Sequence, residues 1–320
     1  MKRLTAMERL ALASLLIAAG MAAVFRLQFY FPSADAFLFM ARHYLGPLLP
    51  ALALPAFLLA RHLSKSSAES LLGHRLRAVT AFALIVYLHF NLKLWAQLIN
   101  PVLFDDVYMA ADERLRPLVH FASLVAAGYR DRLTHFPHAY HEVFVAMFVV
   151  SFTVHGMQSD SRGFDRLLLA VSLVLIVGGL GYAIAPAWGP FVYEAGDNPA
   201  ATAAQTAMAS FQQSLRASHG GDYDSSRFVA ALAAMPSLHL AHAVVFLYFA
   251  LRYVRWLGLI YVVPVVFIAS EAVASRWHYL VDLPAGLAVA SCGILLAYRL
   301  IPRSSELPQG GTPCASPYSS

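Results

Sequence analysis

Residues 164–186 read FDRLLLAVSLVLIVGGLGYAIAP, with no charged side chain after Arg166. A helix needs about 20 apolar residues to cross the hydrocarbon core of a bilayer, so this run predicts a membrane span. Working outward from it, comparable apolar runs occupy 8–29, 44–61, 76–100, 139–158, 240–253, 256–274 and 279–300. The expected fold class is all-α, a polytopic transmembrane helical bundle of about eight spans. The runs 240–253 and 256–274 are each short and share a break near Arg252 to Arg255, which leaves counts of seven or nine open.

Composition points the same way. Hydrophobic residues make up 59% of the chain and charged ones only 13%, with a mean hydropathy of +0.60, far from the composition of a soluble domain. The net charge of +5 does not suggest a nucleic-acid partner, because the Lys and Arg residues sit in short clusters between apolar runs and form no single basic face. They read as topology signals. With eight spans, Lys2, Arg3 and Arg9 share one side with Arg61, Lys65, Arg75 and Arg77, with Arg162 and Arg166, with Arg252 and Arg255, and with Arg299 and Arg303. The positive-inside rule makes that side cytoplasmic and puts both termini there. The opposite connections carry mixed charge, as in Asp105, Asp106, Asp112, Glu113, Arg114 and Arg116, and are expected to face the periplasm or a lumen.

The first apolar run has no clear small-residue cleavage site before Arg26, so it reads as a first helix and not as a removed signal. Residues 101–137 are too polar to span. Their Val107, Ala110, Ala111, Leu115 and Leu118 recur at near-helical spacing and suggest an interfacial helix on the outer surface. The Ser/Pro/Gly-rich segment 303–320 reads as a disordered tail. Cys292 and Cys314 form neither a disulfide framework nor a metal-ligand spacing.

Chemistry concentrates in two places, Met235-Pro-Ser-Leu-His-Leu-Ala-His242 and Ala274-Ser-Arg-Trp-His-Tyr-Leu-Val-Asp-Leu-Pro-Ala-Gly286, each where an outward connection meets an apolar helix. Histidine beside lipid is costly unless it is paired or functional. His278 and Asp282 are four apart, so on a helix they share a face, and the carboxylate can fix the imidazole in one tautomer and make it a better nucleophile or base. His239 can then protonate a leaving oxygen across a pocket, and Ser237 can donate a hydrogen bond to a phosphoryl oxygen.

Pro236, Ser237, His239, His278 and Asp282 resemble the Pro-Ser-x-His and His-x-x-x-Asp motifs of the type-2 phosphatidic acid phosphatase superfamily. The forms Met-Pro-Ser-Leu-His and His-Tyr-x-x-Asp are most similar to its inositolphosphotransferase branch, which includes inositol phosphorylceramide synthases. The resemblance implies a core of that fold and a phosphohistidine intermediate: His278, oriented by Asp282, attacks the donor phosphate while His239 serves as acid and later as base. The partners it implies are a phospholipid donor and a lipid-alcohol acceptor in the bilayer, with no cofactor. Lys93, six residues, then Asn100-Pro101 matches the family's first motif without its arginine. The third motif's opening Ser-Arg falls on Glu271 and Ala272. A transferring phosphoryl group needs positive charge on its equatorial oxygens, which Lys93 and Arg276 can supply. Tyr182 and Trp188, in a Tyr/Pro-rich segment like one in the same branch, are candidates to line the head-group site. On this reading the chain divides into two N-terminal transmembrane helices (1–75), a catalytic transmembrane domain (76–302) and the tail (303–320).

Plainer readings compete at each position. His278 and Asp282 can be an ion pair tying two helices, and His239 a helix-start packing residue, as His242 is expected to be. Ser237 can be a helix N-cap, Lys93 a snorkelling lysine, and Tyr182 and Trp188 interfacial-belt aromatics. His135, His138, His141 and Glu142 have spacings that can align metal ligands, but no second His-rich element accompanies them and no metal is expected. Three functions remain: a lipid phosphotransferase, a lipid phosphate phosphatase, and a non-enzymatic transporter, the last disfavoured because the polar residues gather at one face and not at mid-membrane.

Overall fold

The computed structural model describes residues 4–50, 52, 53, 57, 65–133, 135–158 and 161–302. Among them there are helices and no strands. In chain order they are α1 (Ala6–Phe25), α2 (Ala34–Met40), α3 (Lys65–Ile99), α4 (Asp105–Arg114), α5 (Arg116–Arg130), α6 (Ala139–Gly156), α7 (Ser161–Ile184), α8 (Pro199–Ala217), α9 (Leu238–Tyr253), α10 (Arg255–Ala274) and α11 (Asp282–Leu300). Six of these, α1, α3, α6, α7, α10 and α11, are long and apolar enough to cross a membrane, and α9 is a shorter apolar helix. The bundle is therefore polytopic as expected. Most of the expected span 44–61 and the whole tail 303–320 lie outside the described residues.

The apolar run 164–186 is the centre of the bundle. A helix that is apolar on every side has no face to offer water and belongs inside, and α7 is buried from Leu167 through Ile176. It packs against α3, α9 and α11, and less extensively against α6 and α1. Without a hydrophobic driving force inside lipid, helices associate by close packing, which small residues allow. Gly178 shows this directly, since a Cβ there would come within 2.3 Å of Leu238, the first residue of α9. This contact brings α7 against the Pro-Ser-Leu-His segment.

At its start, α1 is closed by a capping box: Glu8 N–H donates to Thr5 Oγ1, and Thr5 N–H donates to the Glu8 carboxylate. Arg77 of α3 grips the same carboxylate, with Nε 2.7 Å from Oε1. The break expected near Arg252 to Arg255 falls at Val254, whose backbone (φ −142°, ψ 71°) separates α9 from α10.

The connections hold more structure than the sequence suggested. Where one interfacial helix was expected over 101–137, there are two helices, α4 and α5, joined at Leu115, and α5 packs along α10. The long connection between α7 and α9 contains α8, which begins at Pro199 behind an Asn198 N-cap whose side chain accepts from Ala200 and Ala201 N–H.

Candidate active site

The two histidine motifs meet where α9 and α11 begin. Asp282 opens α11, where a carboxylate is favoured by the unpaired N–H groups and dipole of a helix start. Its Oδ2 lies 3.2 Å from His278 Nδ1 and accepts the Tyr279 backbone N–H at 2.9 Å. A carboxylate only accepts, so His278 carries its proton on Nδ1 and keeps the Nε2 lone pair free. His278 and Asp282 are buried. His239, one residue into α9, has its ring centroid 6.5 Å from that of His278 and packs against Phe144 and Tyr140 of α6.

The two motifs are also joined through the backbone, where Ser237 N–H donates to the Asp282 carbonyl at 3.2 Å. Ser237 occupies the N-cap position of α9 but makes no capping hydrogen bond, and its hydroxyl is buried without a partner. Asp282 Oδ1 and Arg276 Nη1 are likewise buried and unpartnered. Native structures pair nearly all such groups, so these three open polar atoms in the two histidine motifs are candidates to bond a ligand. The close approach needs Gly286, where a Cβ would stand 2.5 Å from the Ser237 carbonyl oxygen. Gly286→Ala is expected to cost about 1–3 kcal/mol of stability and at least about tenfold in turnover by pushing the motifs apart, as read by thermal unfolding and initial rates in detergent.

A second layer, invisible in the motifs, fixes the His278 loop from α4. Asp105 accepts from Trp188 N–H, Gly189 N–H and Tyr279 Oη, at 2.9, 2.9 and 2.8 Å to its Oδ1. Asp112 accepts the Leu280 N–H at 2.9 Å. Burial pushes the Asp112 carboxyl up to about 6, and nearby Asp282 adds to the rise against the Leu280 N–H, Arg276 and Arg116. A carboxyl raised above its unfolded value stabilises the fold fully at pH below that unfolded value, and this contribution is lost as pH climbs through about 6. Asp112→Asn cannot ionise. Its melting temperature relative to the parent should therefore be higher at about pH 7.5 than at about pH 5, and a difference that does not change with pH would contradict this account.

The remaining expected residues divide. Lys93 of α3 and Tyr182 of α7 come together, with the Lys93 amine 5.8 Å from the Tyr182 ring centroid. Arg276 takes a left-handed backbone (φ 59°) and pairs with Glu194, which Arg116 also grips. Burial lowers its basicity. Trp188 donates its indole N–H to Gln97 at 2.8 Å; among the described residues no hydrogen bond or ring contact links it to His239 or His278. His242 is the packing residue expected, its ring nitrogens 2.8 and 3.3 Å from the Leu238 and Val171 carbonyls. His141 meets the rings of Phe39 and His43, and no group of three His, Cys, Asp or Glu among the described residues is arranged to hold a metal ion. Asp105, Asp112, Tyr140 and Glu194 are the residues that sequence reasoning missed. The acidic run 105–113 was the one signal that pointed toward the first two.

The arrangement can perform nucleophilic catalysis at phosphorus: an oriented imidazole, a second imidazole across a gap too wide for the rings to hydrogen-bond, a free hydroxyl and a nearby amine. No curated protein and no solved structure matches the chain. The PAP2 superfamily model matches residues 114–296, more than half of the chain, taking in both histidine motifs and leaving Lys93 outside. The two motifs that the match contains are the ones the fold packs together, and the chain belongs to the PAP2 superfamily, whose members are typically phosphatases or phosphotransferases.

Proposed function

We propose that this protein is a membrane-embedded lipid phosphotransferase that moves a phospho-head group, of the inositol-phosphate type, from a glycerophospholipid to a lipid alcohol. The observation that carries this reading is the His278–Asp282 pair with His239 6.5 Å away between ring centroids. His278 Nε2 attacks the donor phosphorus, the bond from phosphorus to the diacylglycerol oxygen breaks, and His239 gives that oxygen its proton. The neutral His239 then takes the proton of the acceptor hydroxyl as its oxygen attacks phosphorus and the P–N bond breaks. The Ser237 hydroxyl and the Lys93 amine stabilise the equatorial oxygens. The positive clusters support a topology with both termini cytoplasmic and the site facing the periplasm or a lumen.

The test is purified protein in detergent with labelled phosphatidylinositol and other phospholipid donors, with ceramide, diacylglycerol or no acceptor. Acceptor-dependent formation of a new lipid-soluble labelled product is expected. Release of water-soluble phosphate or phospho-alcohol at the same rate without acceptor would make the enzyme a hydrolase instead, with water in the second step.

A further inference from the structure

Next to the histidine pair, a cavity of about 410 Å3 opens between the end of α5, the start of α6, the start of α8 and the end of α10. Arg130 on its wall donates from Nη1 to Asp197 at 2.7 Å. Its Nη2 stands 3.6 Å from Glu271, an ion pair too long to be a hydrogen bond. Arg130 Nε and Nη2 are buried with no hydrogen-bond partner, and so is the hydroxyl of Tyr140. Tyr140 also lines this cavity, and its ring packs 4.8 Å from that of His239. Tyr140 thus belongs both to the cavity and to the surroundings of His239.

The open groups are donors, whereas the cavity's Glu271 is already engaged by Ser275 and Tyr129. Unpaired buried donors call for acceptor oxygens; a guanidinium pairs best with carboxylate or phosphate oxygens, and the Tyr140 hydroxyl can donate to a phosphate or a hydroxyl oxygen. A second cavity of about 590 Å3, lined almost wholly by apolar side chains, runs along Val262, Val263 and Val266 of α10. The two cavities share Tyr129, Leu133 and Phe267. A chamber that carries these donors on a largely apolar wall and continues into an apolar groove has the shape and polarity of a phospholipid.

We propose that Arg130 and Tyr140 form the head-group site of the lipid substrate, with Arg130 held in place by Asp197 and Glu271, and that the groove along α10 takes an acyl chain. This rests on the lipid-phosphate reading above, so the test uses binding, which does not require turnover. In the His278→Ala background, native mass spectrometry of detergent-purified protein reads the retention of phosphatidate, phosphatidylglycerol, phosphatidylcholine and diacylglycerol. Adding Arg130→Gln is expected to weaken phospholipid retention by about ten- to a hundredfold, the range for losing a hydrogen bond to a charged group, and to leave diacylglycerol retention within about twofold. Equal losses for all three phospholipids would assign the donors to the phosphate, and a loss confined to phosphatidylglycerol would assign them to head-group hydroxyls. Leu133→Trp, which fills the shared neck, is expected to weaken all four lipids. Unchanged phospholipid retention in Arg130→Gln overturns the proposal. So does an equal loss of diacylglycerol, which would make Arg130 only a clamp for α5.

Discussion

Turnover of a phospholipid donor by His278→Ala is expected to fall by at least about 10^4-fold, the scale on which removing the nucleophile of a catalytic unit acts. The size follows from the geometry. His278 is the imidazole whose Nδ1 faces a buried carboxylate at 3.2 Å, so its other nitrogen is the one free to attack. The carboxylate is in turn fixed by the Tyr279 N–H, and Tyr279 by Asp105. Asp282→Asn can keep both hydrogen bonds through its amide oxygen and loses only the charge, so its deficit should be smaller than that of His278→Ala. Wild-type turnover in His278→Ala would remove the nucleophile assignment, and the comparison needs only initial rates at matched protein and detergent.

The second large effect belongs to His239. General acid catalysis contributes about 10^2–10^4-fold, and His239→Ala should lose that much on a donor that expels an alkoxide. The loss should shrink to under about tenfold with a p-nitrophenyl ester, because a stable phenolate leaves without a proton. A structural role gives a different pattern. If His239 only packs against Phe144 and Tyr140, both substrates lose equally, and the acid assignment fails.

What the sequence disclosed follows from which forces leave a local trace. Crossing a bilayer demands a long uninterrupted apolar run, so α7 and its neighbours are visible as strings of letters, and even the break at Val254 shows as a pair of arginines. The His278 and Asp282 spacing of four is visible too, but the shared helix face expected from it is not what joins them: His278 lies in the connection before α11 and Asp282 is that helix's first residue. Long-range pairing leaves no such periodicity. Asp105 is 83 residues from Trp188 and 174 from Tyr279, and nothing in the run Asp105-Asp106 says that one carboxylate will hold the catalytic loop while its neighbour meets Tyr193. Glu271 is the sharper lesson. It stands where the resembled motif has a serine, and it binds Ser275 on its own chain segment and Tyr129 from another helix. The departure from the motif was legible, but the partner that gives it meaning was not. Ser237 shows the converse: it sits at the N-cap as the start signal predicted, yet its hydroxyl caps nothing and is buried without a partner.

The most direct test of the central claim is to catch the covalent intermediate. Protein is mixed with a donor labelled at its phosphorus, without acceptor, quenched in alkaline detergent and examined for bound label. The account predicts label on the polypeptide that is stable to base and labile to acid, located on His278 by peptide mass spectrometry and absent from His278→Ala. Turnover with no protein-bound label, or label that survives in His278→Ala, would contradict it.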